Sequence, residues 1–446
     1  MSAQTARIGL EIHVQLKTRS KLFCGDAVVF DAPPNTHVCP VCLGLPGALP
    51  VPNRSAVELA LRAAAALECA IPEYSRFVRK NYFYPDLPKG YQITQYDAPL
   101  ATGGRMRTGD GREVRIRRVH LEEDAGKLLH DRIAGKTAID MNRAGVPLLE
   151  IVTEPELQDP AAARAFLALL KRTLQYLAVS DCEMEKGSLR VDANVSIEGG
   201  QPTELKNLNS FAGLERALHA EIARQHALRE QGSSAVAETL AWNDVTGQLR
   251  VLRAKEQRVQ YRYLDEPDLP ALGVSRQWVD AVRNALPMLP LERAARLRAV
   301  HGLRQTDAEV LTASRPLADF FEKLAELTGD AHAAARWTMR DVRAGTNALH
   351  NEFAVRPEQL AELIICIREG KVSGPAARDV FRHMCQTQLS AAEIIAAADV
   401  APLDDVAQAT AWAEEILAGY PAELQRYRDG ESRVLEFFIG KLMRIS

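Results

Sequence analysis

The chain has 446 residues, of which 47% are hydrophobic and 25% are charged, and its formal net charge is −3 at pH 7. This length exceeds one ordinary hydrophobic core and predicts two or three domains, while the near-neutral charge neither requires nor excludes a nucleic acid partner. No apolar run is long enough to cross a membrane and the N-terminus has no signal-peptide pattern, so we expect a cytoplasmic protein without a membrane partner.

Segments in which apolar and polar residues alternate recur as far as about residue 275. This pattern predicts the strands of a mostly antiparallel sheet that is covered on one face only. In chain order the segments are GLEIHVQL (9–16), EVRIRRVHLEED (113–124), LLEIVTE (148–154), GSLRVDANVSI (187–197) and PTELKNLN (202–209).

Three amphipathic segments between these strands predict helices. Ser55 and Glu58 have the spacing of a capping box that opens the first helix. Asp159 followed by Pro160 is an N-cap and N1 pair for the second. The third has an apolar stripe that runs toward a stop at Gly232 and consists of Phe211, Leu214, Leu218 and Ile222.

Beyond LPMLPLERAARL (286–297) the alternation ends, and segments with a helical period continue to the C-terminus. We therefore predict an α+β domain over residues 1–290, a helical domain over 291–400 and the start of a helical tail domain over 401–446. The second boundary rests on a weaker break at DVAPLDD (399–405).

The polar faces of the predicted strands repeat carboxylates, imidazoles and amides. Alternate residues of a strand share a face, which groups Glu11 with His13 and Gln15, His120 with Glu122 and Asp124, and Arg190 with Asp192 and Asn194, while Glu150 and Glu204 lie in two further strands. For any single strand, a face simply exposed to water is the better interpretation. The repetition of Glu, Asp, His and Asn instead favours a site for Mg²⁺ or Mn²⁺, provided that the strands are neighbours.

Two consecutive glutamates stand at the end of the second strand. In a straight strand Glu123 shares a side with Leu121, opposite Glu122. If both glutamates serve one site, the strand must bend, and we predict such a bend.

Three cysteines lie within nineteen residues of the loop that follows the first strand. Cys24, Cys39 and Cys42 include a C-x-x-C pair, a spacing found at zinc sites. A tetrahedral site needs a fourth ligand, for which Asp26 and His37 are the local candidates, and free thiols remain the alternative. The other four cysteines are interpreted as small core residues.

Neither a phosphate-binding P-loop motif nor a dinucleotide-binding fingerprint occurs in the sequence. A nucleotide, if one is used, must therefore be held by metal ions on the carboxylate-rich sheet.

Eight ordered blocks, which together span essentially the whole chain, carry a resemblance to a known family. They are IGLEIHVQL, NTHVCPVCLGLPGALPVPN, RKNYFYPDLPKGYQITQYD, HLEEDAGKLLHD, NRAGVPLLEIVTEP, EKGSLRVDANVSI, ELKNLNSF and YRYLDEPDLP. In this order they resemble the GatB family, the family of the B subunits of bacterial glutamine-dependent aspartyl/glutamyl-tRNA amidotransferases.

The resemblance implies a heterotrimer that also contains an amidase and a small subunit, and that acts on mischarged Glu-tRNA(Gln) or Asp-tRNA(Asn). The GatB chain would use ATP and Mg²⁺ to phosphorylate the side-chain carboxylate, and ammonia released from glutamine by the amidase would displace the phosphate. The resemblance also implies a cradle-like first domain and a tail domain that grips the tRNA body.

The same resemblance assigns roles to residues. Those implied to handle metal, ATP and the acyl phosphate are Glu11, His13, Glu122, Glu123, Glu150, Asp192 and Glu204. Glu11, His13, Glu122 and Glu123 would ligate Mg²⁺. Lys80 would stand where the ammonia passage opens, and Tyr82 to Tyr84 have either a role there or a packing role only.

The chain departs from the family pattern in three places. Asp26 stands where some members have a fourth zinc cysteine, so a Cys24, Asp26, Cys39 and Cys42 site for zinc is an expectation only. YLDE (263–266) replaces a common Y-F-P-E, and the tail is shorter than usual in the family.

Two other functions stay open at this stage. One is a zinc-stabilised RNA-binding or assembly protein without catalysis, and the other is a carboxylate-amine ligase that acts without tRNA. Intact GLEIH and HLEEDAGK blocks count against the first of these.

Overall fold

A computed structural model of the chain describes residues 6–254, 261–344, 353–398 and 406–445. It divides into two compact units, Met1–Arg293 and Ala294–Ser446. The first contains the sheets and the second is helical, so the predicted α+β fold followed by helices is confirmed. The predicted break at 399–405 lies outside the described residues.

The strands of the first unit form one large sheet and three small ones. They are β1 (Arg7–Gln15), β2 (Tyr74–Ser75), β3 (Val78–Asn81), β4 (Tyr91–Thr94), β5 (Ala101–Arg107), β6 (Glu113–Glu123), β7 (Lys127–Ile133), β8 (Lys136–Asp140), β9 (Pro147–Thr153), β10 (Leu189–Ser196), β11 (Thr203–Lys206), β12 (Glu238–Asn243), β13 (Gln248–Ala254), β14 (Leu264–Asp265) and β15 (Leu272–Gly273). The large sheet has the order β13-β12-β11-β10-β1-β9-β6-β5, and its pairs are antiparallel except for β11 with β12.

One face of the large sheet packs against helices and the other carries the polar residues. In β1, Leu10, Ile12 and Val14 are fully buried, whereas Glu11 and His13 between them are only half-buried. The helices of this unit are α1 (Arg54–Ala66), α2 (Pro160–Tyr176), α3 (Phe211–Glu230) and α4 (Arg276–Asn284). Helices α1 to α3 share one hydrophobic core with the sheet, so burial of alternate residues fixes which face is left for chemistry.

The helix starts show one correct prediction and one error. Asp159 caps α2 by accepting a hydrogen bond from the backbone N–H of Ala162, with Pro160 at N1, as predicted. The predicted capping box of Ser55 and Glu58 is wrong, because Asn53 is the N-cap of α1. The Asn53 amide also donates to backbone carbonyls of Ser20 and Lys21, a tertiary reason for choosing this position.

Helix α5 (Pro290–His301) begins at the end of the first unit, and further helices make up the second. They are α6 (Gln305–Leu311), α7 (Arg315–Thr328), α8 (Ala331–Trp337), α9 (Pro357–Arg368), α10 (Gly374–Thr387), α11 (Ala391–Ala398), α12 (Val406–Gly419), α13 (Pro421–Arg428) and α14 (Val434–Ile445). A π-helical turn, Thr338–Val342, extends α8. Among the described residues of this unit there are two separate hydrophobic clusters, one centred on α7 and α9 and a small one on α12 and α14.

Replacing Asn53 by Ala should lower the free energy of unfolding of the first unit by about 1 to 2 kcal/mol, because two α1 backbone N–H groups lose their acceptor. Ser55→Ala is the matched control and should have little effect. Hydrogen exchange of the buried β1 amides in the full chain measures both. Equal losses for the two variants would contradict the observed cap.

Candidate active site

The order of the strands brings the predicted polar faces together. β10, β1, β9 and β6 are consecutive neighbours in the sheet. His13 pairs with Arg190 on one side and with Glu150 on the other, and Glu150 pairs with His120. The side chains of His13, Glu150 and His120 therefore lie close to Glu122. The sequence predicted this convergence only on the assumption that these strands are neighbours in the sheet.

His13, Glu122 and Glu150 form a compact group on this face. The Nε2 atom of His13 lies 3.4 Å from Oε1 of Glu122 and 3.3 Å from Oε2 of Glu150. One ligand atom from each residue lies within 4.8 Å of the others, which is close enough to hold one cation. Both carboxylates are buried while His13 is half-buried, so the group opens toward solvent at the imidazole.

His120 lies behind these carboxylates. Its Nε2 is 3.4 Å from Glu150 Oε2 and 3.7 Å from Glu122 Oε2. Burial by itself would lower the pKa of His120, but Glu150 and Glu122 outweigh it and raise the pKa to about 9. Its Nδ1 is buried without a hydrogen-bond partner among the described residues.

Charge compensation governs the ionisation of this group. Burial would raise the pKa values of Glu122 and Glu150, yet His120 and His13 hold both below the ordinary glutamate value. Burial would lower the pKa of His13, and its hydrogen bond to Glu150 reverses that shift. The two carboxylates and the two imidazoles thus stabilise one another's charged forms. A divalent cation could neutralise the carboxylates in place of the imidazolium protons.

Glu123 points to the other side of the strand. β6 continues in register with β9 through Glu122 and Glu123, opposite Leu148 and Pro147, so the predicted bend is wrong. The Glu123 carboxylate pairs with Lys89 at both oxygens and accepts the backbone N–H of Ile93 at 2.8 Å.

These contacts tie the small β14-β3-β4 sheet to β6. Gln92 donates to the carbonyl of Glu123 at 2.8 Å, and Thr94 donates to Oε2 of Glu122 at 3.1 Å. Glu123 therefore anchors the β14-β3-β4 sheet to the end of β6 and lies outside the group formed by His13, Glu122 and Glu150. Lys89 was not predicted from the sequence, because its pairing with Glu123 across 34 positions leaves no local signal.

The other three predicted carboxylates lie further along the same face. Glu11 accepts a hydrogen bond from Asn194 at 3.1 Å, and burial, followed by the charges of Glu150, Glu204 and Asp192, raises its pKa. Lys206, which the sequence analysis also missed, lies 2.6 Å from Asp192 and 3.1 Å from Glu204. The alternation in ELKNLN places Lys206 on the face of Glu204, so this signal was available.

Lys80 lies on β3 of the small β14-β3-β4 sheet. Its ammonium nitrogen is 4.8 Å from the ring centroid of Tyr261 and 5.9 Å from that of Tyr82. Burial would lower the pKa of Lys80, but the nearby Glu122 and the tyrosines raise it. Tyr82 thus contacts the cation, whereas Phe83 is 86% exposed and contributes little to packing.

The cysteine cluster is assembled as the sequence predicted. Cys24, Asp26, Cys39 and Cys42 place one ligand atom each within 4.8 Å of one another, so Asp26 and not His37 completes the set. Sγ of Cys42 lies 3.4 Å from Oδ2 of Asp26 and 3.6 Å from Nζ of the fully buried Lys21. Hydrogen bonding from Cys24 lowers the pKa of Cys42 to about 6, which favours the thiolate that metals bind. Three thiols and a carboxylate are a donor set that fits zinc.

The remaining cysteines divide into two pairs. Cys69 and Cys182 are buried in the core of the first unit, as predicted. Cys366 and Cys385 are half-buried, and Cys385 packs against the core of the helical unit.

Comparison with known proteins identifies relatives over the whole chain. Residues 6–280 match the GatB/GatE catalytic domain, and residues 319–446 match the GatB domain. The chain is 47% identical to the B subunit of the aspartyl/glutamyl-tRNA(Asn/Gln) amidotransferase of Moorella thermoacetica, covering 98% of this chain and 95% of the relative. It is 46% identical to the protein of that name from Myxococcus xanthus (98% and 94%) and 43% identical to that from Thermodesulfovibrio yellowstonii (99% and 95%).

Among the described residues, no helix has both the length and the apolar character needed to cross a membrane.

Glu122→Gln and Glu123→Gln should separate the two sides of β6. Glu122→Gln should weaken Mn²⁺ binding by about 100-fold or more, because it removes a ligand charge. Glu123→Gln should change Mn²⁺ affinity only a few-fold and lower thermal stability instead, because it leaves Lys89 buried without its counter-charge. Electron paramagnetic resonance titration of Mn²⁺ measures the first effect, and loss of binding in both variants equally would refute the separation.

His120 should make metal-free protein less stable at alkaline pH. Because its pKa is raised from 6.5 to about 9 in the folded state, its contribution to stability is fully present below pH 6.5 and is lost as the pH rises through about 9. The thermal midpoint of wild type should therefore fall relative to that of His120→Gln over this range, in buffer with a chelator. His219→Gln, on the exposed side of α3, is the control and should keep the wild-type profile. Parallel profiles for wild type and His120→Gln would contradict the assignment.

Proposed function

Because the chain belongs to the GatB family of tRNA-dependent amidotransferase subunits, we propose that it activates the side-chain carboxylate of Glu-tRNA(Gln), Asp-tRNA(Asn) or both. Activation would consume ATP with Mg²⁺, and ammonia from glutamine would complete the amide. The amidase and the small subunit of a heterotrimer would be its partners, and the cytoplasm, where aminoacyl-tRNAs are made, its compartment.

The observation that carries the proposal is the convergence of His13, Glu122 and Glu150 on the open face of the sheet. Attack of a carboxylate on ATP brings an anion to a polyanion, so the site must supply positive charge. The carboxylates of this face would repel the anionic substrates, but they would attract a divalent cation, which could supply the positive charge.

The donor atoms present fit such a cation, with His13, Glu122 and Glu150 as the residues that would hold it and Glu11 next to them on β1. When bound, Mg²⁺ would neutralise phosphate charge and align the γ-phosphate with the incoming carboxylate. His120 would keep Glu122 and Glu150 ionised and oriented through its contacts at 3.4 and 3.7 Å.

The chemistry balances in two steps. An oxygen of the substrate carboxylate forms a bond to the γ-phosphorus, and ADP leaves. Ammonia then attacks the carbonyl carbon, phosphate leaves with the activated oxygen, and the nitrogen loses a proton. Glu11, whose pKa is raised, is the carboxylate on this face best suited to take that proton.

Lys80 would lie at the mouth of the ammonia passage. Its charge lies near the rings of Tyr82 and Tyr261 and is stabilised by Glu122, so it would contribute a cation next to the developing acyl phosphate. Asp192 and Glu204, compensated by Lys206, would orient substrate through hydrogen bonds rather than bind metal directly.

His13→Ala tests the proposal in the complex reconstituted from all three subunits. With glutamine, Mg²⁺-ATP and mischarged tRNA, wild type should convert the aminoacyl-tRNA to its amide, and His13→Ala should lose about 100-fold or more of the tRNA-dependent ATP hydrolysis. His219→Ala is the matched control and should retain activity. Glutaminase activity should survive in every variant, because it belongs to the amidase.

Full transamidation by His13→Ala would refute the site assignment. A wild-type complex that amidates a small carboxylate without tRNA would refute the substrate class.

We also propose that Cys24, Asp26, Cys39 and Cys42 bind one zinc ion that closes the loop of residues 24–42. Elemental analysis of purified protein should find about one zinc per chain, and Cys39→Ser should lose it. A protein that is metal-free and equally stable would contradict the proposal.

A further inference from the structure

A lysine on the inner side of the cysteine cluster is completely buried. Lys21 is 0% exposed, and among the described residues it forms no ion pair with a carboxylate. Lysine is almost never buried to this extent without a partner, because removing its charge from water is costly unless an anion faces it. A group other than a carboxylate therefore has to balance the charge of Lys21.

The contacts of the Lys21 ammonium lead to a cysteine sulfur. Nζ donates to the carbonyl of His37 at 2.7 Å and to Sγ of Cys42 at 3.6 Å. The same sulfur accepts the backbone N–H of Cys39 at 3.1 Å. Cys42 is the buried member of the cluster, whereas the other three members are half-buried. The ammonium thus lies against the innermost ligand atom of the proposed zinc site.

A zinc ion in this cluster would leave an excess of negative charge. Three thiolates and one carboxylate bring four negative charges, and Zn²⁺ brings only two positive ones. Negative charge in a partly buried place needs a cation or hydrogen-bond donors nearby. Lys21 supplies both, and it does so from the side that water does not reach. The burial of this lysine is therefore explained by an anionic centre next to it.

The inner side of the cluster also packs on a turn that leads to β6. Gly145 has φ +84°, and a Cβ at this position would lie 3.4 Å from Cβ of Cys42 and 3.4 Å from Cδ of Lys21. The carbonyl of Gly145 accepts the N–H of Leu22 at 2.8 Å, and its own N–H donates to the carbonyl of Asp124 at 2.9 Å. Asp124 directly follows the two consecutive glutamates of β6. A centre that stays intact therefore supports the backbone at the end of this strand.

We infer that Lys21 is the internal counter-ion of a metal–thiolate centre, in which its ammonium donates to the metal-bound sulfur of Cys42 and makes the centre less reactive. The inference rests on the zinc site proposed above. Positive charge and hydrogen bonds at a metal-bound sulfur withdraw electron density from it, and this tunes both the metal–sulfur bond and the nucleophilicity of the thiolate. Lys21 thus balances charge and positions the loop, and it has no contact with substrate.

Co²⁺ in place of Zn²⁺ gives a spectroscopic test in the full-length chain. Lys21→Met keeps an unbranched side chain and removes the charge, so the sulfur electrons are held less tightly. The sulfur-to-Co²⁺ charge-transfer band should therefore move to longer wavelength. Lys21→Gln, which keeps a hydrogen-bond donor but no charge, should shift the band in the same direction. Lys17→Met is the matched control, because Lys17 is exposed, and it should leave the band in place.

Hydrogen peroxide tests the reactivity of the zinc-loaded chain. Two thiolates give up two electrons to peroxide, a disulfide forms, two hydroxide ions are released and the zinc ion is set free. The rate of zinc release, followed with a zinc-binding dye, should be several-fold higher in Lys21→Met than in wild type. Lys17→Met should release zinc at the wild-type rate.

A charge-transfer band at the wild-type wavelength in Lys21→Met and Lys21→Gln chains that bind Co²⁺ would overturn the inference. So would equal rates of zinc release in wild type and in both variants. A wild-type chain that takes up neither metal ion would refute the zinc site and the counter-ion together, whereas a metal centre indifferent to Lys21 would refute the counter-ion alone. The amide-forming function is tested separately, by His13→Ala.

Discussion

Compensation of buried negative charge is the constraint on which this structure depends. Glu122 and Glu150 are both buried in adjacent strands, and two carboxylates removed from water at this separation repel each other strongly. His13 and His120 approach them from either side and keep them ionised. The imidazolium protons stabilise this arrangement, and in the proposed function the same oxygens would be available to a divalent cation once those protons leave. In the proposed function, folding and catalysis would therefore use one set of contacts.

The two consecutive glutamates of β6 extend this principle to both sides of one strand. Glu122 belongs to the group on the open face, and Glu123 fixes the β14-β3-β4 sheet through Lys89 and the Ile93 N–H. That sheet contributes Lys80 and Thr94 to the neighbourhood of Glu122. Strand β4 thus contacts both glutamates, Glu123 through the Ile93 N–H and Glu122 through the Thr94 hydroxyl.

Periodicity was sufficient to predict the local structure, because burial of every second residue in β1 and β10 leaves a clear record in the sequence. It predicted which residues share the polar face and where α2 begins. It could not predict that β1 lies between β9 and β10, since that order depends on contacts across more than 130 positions.

The bend at Glu122 and Glu123 was predicted on the assumption that both glutamates serve one site, and the pairing of Glu123 with Lys89 removes the need for that bend. Asn53 and Ser55 are both good N-cap residues, and only the tertiary bonds of Asn53 to the β1 loop decide between them. The polar row of Glu204 and Lys206, by contrast, was visible in the sequence and was overlooked.

The central claim is that the substrate carboxylate itself attacks ATP on this face. The most direct measurement uses mischarged tRNA whose side-chain carboxylate is labelled with ¹⁸O, incubated with the complete complex, Mg²⁺-ATP and glutamine. The account predicts that each amide formed releases inorganic phosphate containing one ¹⁸O atom, detected by mass spectrometry, because the activated oxygen leaves with phosphate. Unlabelled phosphate formed at the same rate as the amide would contradict it.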